Sequence, residues 1–239
     1  MFQTKRMCGY LFAFLAIVQM AAFFLFWQVT TRLQIAWIVY LVYWIRNLAQ
    51  TLVPLLTVTG MLLLKRSGHR RILLFPILPV LSYALYFLPD HYLHYLLEIG
   101  LDSTEAVAMG AIVTPIECIG LYLYMLLIYF VARYVYLRAT KAKPDESSEL
   151  SDPLFNLQNP MIKAVFFGSF ANFCLQSCIE LVRVASVTAS IGTYTLEEIL
   201  TIVISFIMYF AMLLASHVFC MLYLRYARKH YTIQEEETI

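Results

Sequence analysis

Charge is scarce in this sequence. Only 13% of its 239 residues are Asp, Glu, Lys or Arg, about half the roughly 25% of a soluble globular domain. So little charge cannot coat the water-facing surface of a chain this long, and the surplus apolar surface is expected to face lipid. Basic clusters are lacking as well. The 17 basic and 15 acidic residues leave a net +2, and the cations punctuate the ends of apolar runs instead of forming a patch for phosphates, which argues against a nucleic-acid partner. The five cysteines (Cys8, Cys118, Cys174, Cys178 and Cys220) lie in or beside apolar segments. They imply buried thiols and no disulfide framework, although Cys8, beside Lys5 and Arg6, is also placed for palmitoylation.

Catalytic signatures are missing too. The chain has no H-E-x-x-H, no G-x-S-x-G, no P-loop, no filter of the T-V-G-Y-G kind and no N-x-S/T sequon. Without a nucleophile or metal-ligand pattern in the apolar segments, the chain is read as not an enzyme, with no cofactor, no catalytic residue and no metal site. His91-x-x-His94 with Glu98 could hold zinc at the outer surface. The same residues, with Leu93, Leu96, Leu97 and Leu101 on other faces, read better as an amphipathic helix over Asp90–Glu105 lying on the membrane.

What the chain has in abundance is apolar sequence. It is 62% hydrophobic, with a mean hydropathy of +0.74. A spanning helix needs about 20 mostly apolar residues, and six segments fit: 9–27, 35–64, 72–88, 106–136, 163–191 and 196–223. The fold class is therefore an all-α, polytopic transmembrane bundle of about six helices, forming one membrane domain over residues 1–239. The first run is too long for a signal-peptide core and lacks a small-residue cleavage site, so it is taken as a retained helix. Pro76 and Pro79 predict a kink in the third.

Topology follows from the cations. Fourteen of the seventeen Lys and Arg residues fall on one side of this scheme, only Arg32 falls on the other, and Arg46 and Arg183 fall inside spans. The positive-inside rule then places both termini in the cytoplasm. It does the same for the linker 138–160, which separates two three-helix halves, and for the tail 224–239. The opposite side is acidic, with Asp90, Glu98, Asp102, Glu105, Glu197 and Glu198.

Ionisable side chains at membrane depth are costly, which makes each a functional hypothesis. In the fifth span Asn172, Gln176, Glu180 and Arg183 recur at steps of four, four and three, and so share one helical face. In the second, Arg46 lies beside Asn47 and Gln50. Glu117 stands alone in the fourth. From rise per residue, Arg46 and Glu117 sit about 16 Å from the outer ends of their spans, and Arg46 with Glu117 is the natural interhelical pair. One reading is a set of polar contacts that fix helix packing. The other is an outer-half cavity that binds or conducts an ion or small polar solute, with Glu117 or Glu180 as a proton or cation site. The expectation for function is the second. An accessory subunit, receptor or trafficking adaptor, acting through its cytoplasmic loop and tail on a protein partner, is the alternative. The bilayer itself is the one partner that both readings require.

Overall fold

The computed structural model describes residues 36–66, 70–77, 79–81, 83–84, 100, 102–142, 157–191 and 195–236. The expected first span at 9–27, residues 90–99 of the surface helix expected over Asp90–Glu105 and the linker residues 143–156 lie outside the described residues. The last residues of that expected surface helix, Ser103–Glu105, instead open a long helix after a left-handed Gly100. Four α-helices are described: α1 (Ala36–Arg66), α2 (Ser103–Ala142), α3 (Pro160–Ile191) and α4 (Leu196–Glu236). A short 3-10 helix, Arg70–Leu74, packs on α1. No strand occurs among the described residues. The chain forms two compact units, Met1–Tyr129 and Phe130–Ile239, and the division falls within α2.

The helix starts are chemically marked. Gly100 takes a left-handed φ of 71°, a conformation open to glycine at little cost. Asp102 follows, and its Oδ1 accepts from the backbone N–H groups of Thr104 and Glu105, both at 2.8 Å. That is an N-cap with an acidic first turn. α3 opens on Asn159-Pro160. Asn159 Oδ1 accepts from Met161 N–H at 2.8 Å and Ile162 N–H at 3.3 Å, and Pro160 stands where a missing N–H costs nothing. Because Asn159 is buried, water cannot replace the cap. Asn159→Ala is expected to lower stability by about 1–2 kcal/mol, measured as thermal unfolding in micelles; an unchanged melting temperature would count against a capping role.

Helices outrun the apolar segments that announced them. α2 runs from Ser103 to Ala142, beyond the 106–136 read from hydropathy, and α4 continues to Glu236 through what was expected to be a tail. Apolarity stops at the edge of the bilayer, whereas Arg, Lys, Gln and Glu are good helix formers in water. The proline-containing third segment behaves differently. Its 3-10 helix ends in a turn closed by Phe75 N–H to Ile72 carbonyl at 3.1 Å. Helix then resumes with Val80 N–H donating to Pro76 carbonyl at 3.3 Å.

Three stretches are long and apolar enough to cross a membrane: Ser103–Lys141, Pro160–Ile179 and Ile202–Tyr226. Their exposed faces are apolar. On α2 the exposed line runs Ile112, Ile116, Ile119, Leu123, Leu127 and Phe130, with Ile116 at 64% exposure. Monomeric soluble proteins do not expose continuous apolar strips of this kind. The buried positions of each unit include polar groups instead, Thr114 in the first and Asn172 and Ser216 in the second. Lipid outside and polar contacts inside explain that inversion.

Candidate functional site

α1 is built around a stretch with no exposed face. Every residue from Thr51 to Leu63 is buried. Pro54 interrupts the ladder of backbone hydrogen bonds there, because it has no N–H to offer Gln50. The hydroxyls of Thr51, Thr57 and Thr59 donate back to the carbonyls of Asn47, Val53 and Leu55 at 3.1, 2.8 and 2.8 Å. This satisfies polar side chains where no water reaches, and hydroxyls bonded back in this way also favour bending. Of the polar residues read from the sequence on this helix, Asn47 is half-buried and Gln50 is exposed. The side chains of Arg46, Glu180 and Arg183 lie outside the described residues.

Glu117 is the clearest chemical feature of the first unit. It sits fifteen residues into α2, one turn beyond the buried Thr114, and is half-buried. Its Oε2 accepts a hydrogen bond of 2.9 Å from the phenol of Tyr83, which arrives from the helical residues after Pro79. Tyr122 supports the same arrangement from a little over one turn along α2, donating to the Leu73 carbonyl at 3.0 Å. Two phenols thus tie this region to α2, Tyr122 through a backbone oxygen of the 3-10 helix and Tyr83 of the segment after it through a carboxyl. Glu117 is eleven residues from Ala106, so it lies about 16 Å along the helix from the start of the apolar run. A carboxyl at that depth needs hydrogen-bond donors, a counter-charge or a proton.

No family model, curated protein or solved structure matches this chain. Its chemistry must carry the reading.

In the second unit, Asn172 is fully buried and Gln176 half-buried on α3. Neither amide atom of Asn172 has a hydrogen-bond partner in the protein. Ser169, one turn earlier, is satisfied by donating to the Val165 carbonyl at 2.8 Å. His217 of α4 is buried with its ring edge-on to Phe166, the centroids 5.4 Å apart. Among the described residues no group of three or more His, Cys, Asp or Glu side chains is placed to hold a metal ion.

Tyr83 and Ser216 are among the residues that were not in the set read from the sequence. Tyr83 was hidden in the short proline-containing segment, 34 residues from Glu117, and a tyrosine in an apolar run gives no signal of what it reaches. Ser216 had none either. Its importance comes only from complete burial with an unpartnered Oγ.

Proposed function

We propose that this chain is a multi-pass membrane protein of six spans with cytoplasmic ends, and that it binds or passes a proton, small cation or other small polar solute through polar groups in the outer half of the bilayer. The observation that carries the reading is the Tyr83–Glu117 hydrogen bond within a stretch of α2, Ala106 to Ala132, that has no other charged residue. A carboxyl presents two acceptor oxygens that can hold a proton or cation, and the Tyr83 phenol fixes one of them in place on α2. Glu180 and Arg183, with Arg46, are proposed to extend the polar region, and no catalytic role is assigned to any of them.

Reconstituting the full chain in vesicles and following proton and monovalent-cation flux tests the site. Glu117→Gln should reduce that flux, and an unchanged rate would remove Glu117 from the pathway. The six-span topology is tested separately. Impermeant labels on tags at the two ends should react from the same side of intact membrane vesicles, and reaction from opposite sides would reject an even number of crossings.

A further inference from the structure

α3 and α4 run antiparallel, and two ring contacts mark the line along which they meet. Phe166 faces His217 at 5.4 Å and Phe173 faces Phe210 at 5.7 Å. In each helix the contact residues are seven apart and so lie on one face. Asn172 and Ser216 each come one residue before a contact residue, about 100° around their helices. Antiparallel helices in contact are related by a twofold axis perpendicular to the plane of the pair. Equal offsets on the two helices therefore point to the same flank. Ser169 and Gln176, three residues after Phe166 and Phe173, fall on that flank, as does Tyr209, one residue before Phe210. The opposite flank carries Phe167, Phe170, Ile207 and Leu214, all exposed.

The pair is thus two-sided, with exposed apolar residues on one flank and, on the other, buried or half-buried uncharged polar residues interspersed with the buried Val165, Leu213 and Cys220. From the level of Ser216 to Gln176 the polar flank spans about 14 Å at helical rise, close to half of a hydrocarbon core of about 30 Å. Its two fully buried members, Asn172 and Ser216, are the ones whose hydrogen-bonding atoms have no protein partner. One serine in this row satisfies itself on its own backbone, so the remaining capacity is not what hydroxyls in helices must show. An amide offers two donors and an acceptor, and buried polar atoms of this kind are ordinarily satisfied by protein or by bound water.

We infer that this flank, centred on Asn172 and Ser216, is a binding site for a small uncharged hydrogen-bonding molecule: water, or a solute of the size of urea or glycerol. The flank presents an amide pair, hydroxyls and a phenol with no fixed charge, which suits a neutral guest and gives a bare ion no counter-charge. The inference uses the membrane reading of α3 and α4 and makes no use of Glu117, so either proposal fails without the other.

X-ray pulse radiolysis of the full chain in lipid nanodiscs, in ¹⁸O-enriched water, tests occupancy. Met212 and Cys220 lie one turn either side of Ser216 and are 4% and 0% exposed. Water held on the flank should place ¹⁸O on them well above Met61, which is 0% exposed in the apolar run of α1. In Asn172→Leu that labelling should fall about fivefold, as expected when a bound water loses its polar partners, and Asn172→Gln should retain it. Added urea or glycerol separates the two sources: protection of Met212 assigns a solute, and unchanged labelling assigns water alone. Thermal unfolding supplies the second readout. On a dry flank Asn172→Leu removes an unmet amide and raises the melting temperature, whereas on an occupied one the temperature does not rise. Labelling of Met212 and Cys220 no higher than that of Met61 would overturn the proposal, and so would a raised melting temperature in Asn172→Leu.

Discussion

Leu56→Ala is expected to destabilise the protein by about 2–5 kcal/mol, the range for large-to-small changes in a closed core, whereas Leu123→Ala should cost far less. The contrast rests on what surrounds each side chain. Leu56 is 1% exposed, in the middle of a run from Thr51 to Leu63 in which every residue is buried. Deleting its branched end leaves a hole with neighbours on all sides, and rigid neighbours close such holes only in part. Leu123 is 57% exposed on the outer line of α2. Its truncation opens a shallow groove that lipid chains fill, because no hydrophobic penalty separates leucine from hydrocarbon. Val58→Asp should go further and prevent folding, since an unpaired carboxylate would be buried at a position with 2% exposure. Unfolding of the three variants in mixed micelles ranks them. Equal losses for Leu56→Ala and Leu123→Ala would mean that α1 is not the centre of the first unit.

That centre could not be seen in the amino-acid order alone. A helix apolar all round is either surrounded by protein or surrounded by lipid, and composition reads the same in both cases. The segments around α2, α3 and α4 were legible because apolar length is what a bilayer demands. Their true ends were not, because the Asp102 and Asn159 caps and the charged last turns of α4 continue or start a helix by hydrogen bonding and propensity, which hydropathy ignores. The candidate site divides in the same way. Asn172 stood out through the spacing it shares with Gln176, and its burial bears on that spacing. Glu117 stood out as a lone carboxyl, and Arg46 was the obvious partner by charge. Tyr83 is a described partner, an uncharged donor brought in by a segment whose prolines made its path unreadable, and the Arg46 side chain lies outside the described residues. Sequence periodicity reports which residues share a face of one helix. It carries no information on which residue of another helix reaches that face.

Flux through the reconstituted chain should fall about 10- to 150-fold in Glu117→Gln, corresponding to the loss of about 1.5–3 kcal/mol for a contact with a charged group. Glutamine keeps the volume and can still accept from Tyr83, so helix packing should survive and the defect should be one of charge. Tyr83→Phe tests the opposite property. It leaves the carboxyl in place and removes its 2.9 Å donor, so the carboxyl is retained but held less firmly, and flux should fall by a smaller factor. In the double variant the two losses should not add, because the phenol acts through the carboxyl and has nothing to position once that group is neutral. A merely structural hydrogen bond makes a different pattern: both single variants would lose thermal stability to similar extents and neither would change flux per folded molecule. Measuring flux and melting temperature on the same preparations of the four proteins separates a working carboxyl from a packing contact. Glu117→Gln with full flux and a lowered melting temperature would return Glu117 to the structural side.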